Sequence, residues 1–275
     1  MAPAPVSTTS GHEERMADTT PHQIPDGIHQ ENTMTIHLAR IGIDPQALRT
    51  YAAMTRTGDD DGLYATHHAL RKMFGDNAPQ PFHAVLSGPE PHVVGYLDAK
   101  RAGLLASTEG EGDVVLRRVF SEPVRTREMP VVWEDGARLS FRLRGRPVVR
   151  YSDEAADLVE KTTGWRPPAE VDVVVAASRK TGTPADPSET CRAWLERRLG
   201  DVASVETFVL KDYRQVSSRR SSHGPDGRIL VPGPDATMAG ILTVGNGEEF
   251  GRMLAKGIGR HCAFGYGMMM VSRTR

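Results

Sequence analysis

The sequence predicts an α+β fold of two related units, each a β-sheet with helices packed against it, and three observations carry that prediction. A chain of 275 residues is long enough for two compact domains, and 39% hydrophobic with 25% charged residues is the composition of an ordinary globular protein. Apolar residues alternate with period two in some stretches and recur with helical period in others. A similar order of strands and helices runs on both sides of residue 150, although the halves share no obvious sequence repeat.

Residues 1–33 come first. They are rich in Pro, Thr, Ser and His and lack any periodic apolar pattern, so a disordered extension is expected there, with Met34 offering an alternative start. The run Met34–Ile43 then reads as a strand with Ile36 and Leu38 buried, joined by Ile41 and Ile43. Asp59, Asp60, Asp61 and Gly62 put acid where a helix can use it, against free amides and the positive end of the dipole. Leu63, Leu70 and Phe74 follow at helical spacing, with Met73 beside them and Gly75 as the stop, giving a helix over 62–74. Short strands are expected at Phe82–Ser87, His92–Leu97 and Val114–Phe120. A longer one at Arg138–Val149 alternates Leu139, Phe141 and Leu143 with Arg138, Arg142 and Arg144. These elements make a first unit over 34–150.

The second unit covers 151–275. Val171–Ala177 reads as a buried strand and Pro187–Leu199 as a helix carrying Trp194, Leu195 and Leu199. Val202–Val216 and Arg228–Val244 read as strands around a polar, Arg-rich turn. Glu248–Lys256 is a short helix, and Met268–Val271 a final strand.

Several function classes are disfavoured at this level. No apolar run approaches the roughly 20 residues that span a bilayer, and no secretory signal opens the chain, so the expectation is a cytoplasmic protein without a membrane role. Two cysteines, Cys191 and Cys262, make neither a disulfide framework nor a Cys-x-x-Cys site, and they read as reduced thiols. No metal and no cofactor are expected. The net charge of −1 conceals an asymmetry: residues 1–33 and 34–137 are acidic, whereas 138–275 hold 22 basic against 16 acidic residues. Eighteen of those 22 are Arg, whose planar fork suits phosphate oxygens. Such an excess permits RNA binding without proving it.

Three places could carry chemistry. On the 62–74 helix, Tyr64, His67 and Arg71 share one flank, about 100°, 40° and 80° around from Leu63, while His68 lies further toward solvent at about 140°. A His at the border of a core has a tunable pKa, and a Tyr and an Arg beside it can hold a phosphate. On spacing alone, simple packing at a helix edge is the commoner meaning of such a pair. The second place is Gly257–Gly267, with glycines at 257, 259, 265 and 267 between a helix and a strand. Glycine lets backbone amides approach a phosphate, though a plain helix-to-strand turn needs the same residues. It is not a dinucleotide fingerprint, which lies between a strand and the following helix. The third is the stretch 211–228, whose Lys211, Arg214, Arg219, Arg220 and Arg228 lie on the arms and tip of a basic hairpin that can track phosphates or simply be solvated.

Taken in order, Thr35–Ile43, Tyr64-Ala-Thr-His67-His-Ala-Leu70, Leu139–Pro147, Ala193–Gly200, Gly240–Val244 and Gly257–Gly267 resemble the CasE family, the repeat-RNA endonuclease subunit of the type I-E Cascade complex. The resemblance runs from Met34 to about Ser272. It implies two tandem ferredoxin-like domains and metal-independent cutting at the base of a CRISPR repeat hairpin. It further implies that the product is retained among the other Cascade subunits. Tyr64 and His67 then act at the scissile phosphate, with His68 a neighbour rather than an equivalent. Arg71, Arg142, Arg144, the 211–228 hairpin, Gly257, Gly259, Arg260, Gly265 and Gly267 would contact RNA. Two departures stand out: Cys262 where many relatives carry a basic residue, a charge that Arg260 or His261 could supply instead, and Arg146 where they often show Asn. Two rivals remain at this point, a noncatalytic RNA-binding subunit of the same fold and a small-molecule enzyme that uses the glycine loop for a nucleotide phosphate. The lack of a P-loop or dinucleotide fingerprint counts against the latter.

Overall fold

The structure, a computed structural model, describes residues 35–107, 114–120, 122–130, 132–164, 166–168, 170–221 and 228–274. The extension expected at 1–33 and the tip of the Arg-rich hairpin lie outside the described residues.

Strand β1 (Ile36–Gly42) leads into helices α1 (Pro45–Thr55) and α2 (Leu63–Phe74), then β2 (Phe82–Val85) and β3 (His92–Asp98). Helices α3 (Ala99–Ser107) and α4 (Val114–Val119) precede β4 (Arg125–Met129). These strands form one antiparallel sheet in the order β2-β3-β1-β4. Strand β5 (Arg138–Gly145) opens a second sheet. The chain then makes a small side ladder of β6 (Val148–Arg150) and β7 (Glu170–Asp172), with α5 (Asp153–Thr163) between them and α6 (Val173–Thr181) and α7 (Pro187–Leu199) after. A long ribbon of β8 (Ala203–Ser221) and β9 (Arg228–Val244) follows, then α8 (Gly247–Lys256) and β10 (Met269–Arg273). The second sheet runs β10-β5-β9-β8, again antiparallel throughout. Counted within its own sheet, each runs fourth, first, third, second. That is the ferredoxin-like order, twice.

Pairing corrects one sequence expectation. Strand β5 belongs with β9 and β10, so the division between sheets falls ahead of residue 138 and not at 150. The apolar contents cross the division too. Ala39, Ile41, Val93 and Leu97 pack under α1, α2 and α4, whereas Ile36, Val94 and Tyr96 join the second core with Leu143 and Met269. The Tyr96 hydroxyl donates to the Met269 carbonyl at 3.0 Å, tying β3 to β10. Fully buried Leu143, Leu195 and Met238 anchor that second core, each contributing about 1.5–3 kcal/mol by burial.

Other differences have local causes. Val114–Val119 is a helix rather than a strand, because Leu116, Val119 and Phe120 lie three and four apart and all face inward, Phe120 against Phe74 at 5.4 Å. The strand expected over Val171–Ala177 stops at Asp172, whose carboxylate caps the Val174 amide at 2.8 Å and starts α6. The strand expected over 138–149 breaks at Arg146-Pro147 into β5 and β6. Helices α1, α3 and α5 and strand β4 go beyond the sequence reading. For α1 the signal was present: Asp44 accepts from the amides of Gln46 and Ala47, with Pro45 in the first turn.

Candidate active site

The site is built around α2. Its start is held by two carboxylates: Asp61 accepts from the Leu63 amide at 3.2 Å and Asp59 from the Tyr64 amide at 2.8 Å. Burial, with Asp61 beside it, pushes the Asp59 carboxyl up to about 6. Tyr64 and His67 are both partly buried on one flank of this helix, as the wheel predicts. They meet the ring of Phe264, which lies 6.1 Å from Tyr64 with nearly parallel planes and 4.5 Å from His67. Burial lowers the pKa of His67; a hydrogen bond to the Ala263 backbone opposes this, and the charges of Arg71 and His68 add to it. Its surroundings therefore favour the neutral imidazole.

The glycine-rich stretch brings Phe264 there. Gly257, Gly259, Gly265 and Gly267 all have φ between +77° and +83°, conformations that a side chain rarely adopts. All four also lack room, with a neighbouring atom under 3.0 Å from where a Cβ would stand. A Cβ on Gly265 would stand 2.9 Å from Leu63, and one on Gly267 would stand 2.6 Å from both Cys262 Sγ and the Ile258 carbonyl. These glycines thus let the loop fold tightly on itself and press onto α2. Cys262 sits at the middle of this fold, where burial pushes its thiol pKa up, so it supplies no charge.

The remaining sequence candidates divide. Arg144 is not a free cation. Its side chain is 14% exposed and held by Asp61 at 2.6 Å and by both oxygens of Asp235 at 2.7 and 2.8 Å. Its guanidinium also lies 5.2 Å from the centre of the Tyr266 ring. Arg214 pairs with the same Asp235 at 2.9 Å. Arg142 and Lys211 are exposed. Arg71, at the far end of α2, pairs with Asp76 at 2.9 Å. Arg260 and His261 both meet Glu170, at 2.6 and 3.0 Å, so neither brings its charge unopposed to the loop. His68 turns to α1, where it lies 2.6 Å from the Tyr51 hydroxyl, instead of facing solvent. Arg146 is 2% exposed and packs against Gly233 of β9. Arg219, Arg220 and Arg228 lie on the β8–β9 ladder, with their side chains outside the described residues.

Sequence reasoning did not single out Phe264, Asp235 or His83, and it read Asp61 only as acid at the start of the helix, without its link to Arg144. Phe264 stood inside the glycine run without a partner to mark it. His83, on β2, is held down to about 4 by burial and by the charges of Arg144 and Arg142. Among the described residues, no group of three or more His, Cys, Asp or Glu could hold a metal ion. A cavity of about 760 Å³ lies between α1 and the start of α2, but neither Tyr64 nor His67 lines it.

A family model described as CRISPR associated protein matches residues 36–273. The chain belongs to that family. Members of the CRISPR associated family with solved structures share the fold. A structure of CRISPR endoribonuclease Cse3 bound to 19 nt RNA is 21% identical with a TM-score of 0.55, covering 86% of this chain and 99% of that one. Thermus thermophilus Cse3, bound to an RNA representing a pre-cleavage complex, is 19% identical with the same TM-score and coverage. Cas6e from Escherichia coli is 19% identical with a TM-score of 0.52, covering 86% and 100%. No curated protein sequence matches. Among the described residues no helix is long and apolar enough to cross a membrane.

Proposed function

We propose that this protein is a metal-independent endoribonuclease that cuts the repeat stem-loops of CRISPR precursor RNA and keeps the product as a subunit of a cytoplasmic Cascade complex. The observation that carries the reading is the closure of the glycine-rich loop onto Tyr64 and His67, in a chain of this family and fold. The relatives support it, being endoribonucleases bound to RNA and members of RNA-guided surveillance complexes.

In this reading a ribose 2′-hydroxyl attacks the adjacent phosphorus and the 5′-oxygen leaves, giving a 2′,3′-cyclic phosphate and a 5′-hydroxyl. RNA brings its own nucleophile, so the protein has to orient it in line and move protons. His67, whose neutral form burial favours, exchanges a proton at the reacting oxygens, a contribution of about 10²–10⁴-fold. The Tyr64 hydroxyl orients the phosphate. The basic β8–β9 ribbon and Arg142 meet the stem, whose A-form grooves are read by shape more than by base edges.

The test is cleavage of a repeat hairpin in EDTA by wild type and His67→Ala. Cutting by wild type alone, leaving a cyclic phosphate, supports the reading. Binding without cutting by both proteins would replace it with a noncatalytic RNA-binding subunit.

A further inference from the structure

Arg144 occupies a position that the proposed reaction does not use. It projects from β5 of the second sheet, yet three parts of the molecule converge on it. Its guanidinium holds Asp61, which in turn caps the first turn of α2, one residue from Tyr64. Its Nε, and the same Nη2 that holds Asp61, donate to the two oxygens of Asp235 of β9, and Asp235, 2% exposed, also holds Arg214 of β8. Its carbonyl accepts from the Gly267 amide at 2.8 Å, and its charge stands over Tyr266, two residues from Phe264. Catalytic helix, basic ribbon and glycine-rich loop therefore share one side chain.

Resting on the function proposed above, we propose that Arg144 is a positioning residue: acting through Asp61 and Asp235, it sets Tyr64 and His67 in register with the ribbon that engages the RNA stem, and it does not bind phosphate itself. Geometry supports this assignment over phosphate contact. Two carboxylates already engage Nε and Nη2 of the guanidinium, and the side chain is 14% exposed. Opening both pairs to admit a phosphate would leave Asp235 buried without its bidentate partner, a costly state. Arg142, two residues earlier on the same strand, provides the contrast, since it is exposed and no ion pair engages it among the described residues.

Replacing Arg144 outright would strand Asp235 and endanger folding, so the decisive variant is Asp61→Asn. Its side-chain oxygen can still cap the Leu63 amide and Asp235 still neutralises Arg144, but the ionic link between Arg144 and α2 is lost. At saturating hairpin the single-turnover rate is expected to fall by about tenfold to a hundredfold, the scale of an ångström-sized misplacement. Affinity for a hairpin blocked by 2′-deoxyribose at the cut should change by less than about twofold, and the slope of log Kd against log salt should stay unchanged. Arg142→Gln should instead reduce that slope by about 0.7–0.9. The ring signals of His67 in NMR spectra should move in Asp61→Asn, a readout that does not depend on cleavage. If Arg144 were a phosphate ligand, removing Asp61 would free it: affinity would rise, the slope would steepen and the rate would hold. That result overturns the proposal, as does an unmoved His67 signal. Wild-type protein that fails to cut refutes the endoribonuclease reading instead, while the His67 signal and salt slopes still decide the role of Arg144.

Discussion

Removing the Phe264 ring should raise the pKa of His67. The ring sits 4.5 Å from the imidazole and 6.1 Å from Tyr64, and it is the aromatic cover of both side chains. Burial is the largest cause of the lowered His67 pKa, so Phe264→Ala lets water reach the imidazole and moves its pKa up toward the ordinary 6.5. Aromatic pairs contribute about 0.5–1.5 kcal/mol each, and three are lost, those with Tyr64, His67 and His261, so folding stability should fall by about 1.5–4.5 kcal/mol. That lies below the ~5–15 kcal/mol typical of a folded protein, so the variant is expected to stay folded and the titration to be readable. Following the His67 ring protons by NMR between pH 4 and 8 gives the pKa directly, and hairpin cleavage over the same range gives its kinetic image. Whichever limb of the pH–rate profile His67 controls, that limb moves to higher pH in the variant. A His67 pKa that stays put, or falls, would refute the claim that Phe264 desolvates it.

Two further outcomes follow from the same geometry. Gly267→Ala forces a methyl against Cys262 and the Ile258 carbonyl at φ +77°, which should cost about 2–4 kcal/mol and lower Tm measurably in thermal unfolding; an unchanged Tm would show that the loop yields freely. His83, with a folded pKa of about 4 against 6.5, binds its proton more readily when unfolded, so its contribution is present above pH 6.5 and is lost as pH falls toward 4, by at most about 3 kcal/mol. His83→Asn should flatten the decline of Tm over that interval, and an unaltered decline would contradict the assignment.

Much of this molecule can be read from residues near one another in the chain. Helices α2, α7 and α8 announce themselves by spacing and caps, and the long β8–β9 ribbon by its polar turn. Tyr64 and His67 fall on one flank because a helix fixes the angle between them. What the sequence conceals is partnership at long range. β5 looks like the last strand of the first unit until β10 pairs with it from the other end of the chain. Arg142 and Arg144 look alike in an alternating strand, and only the folded positions of Asp61 and Asp235 separate an exposed cation from a buried junction. The run Val114–Val119 misleads for another reason: its β-branched residues favour a strand, and packing against α1 and α2 overrides that preference.

The ring that covers Tyr64 and His67 arrives about two hundred residues after them in the chain. During synthesis at ~5–20 residues per second, α2 therefore waits on the order of ten seconds or more on the ribosome before Phe264 is made. Over that interval the growing polypeptide has its helix without its loop, so a nascent chain cannot present the finished pair to any RNA nearby. On the function proposed above, competence is postponed until translation has passed the glycine-rich stretch, a timing written into the order of the elements.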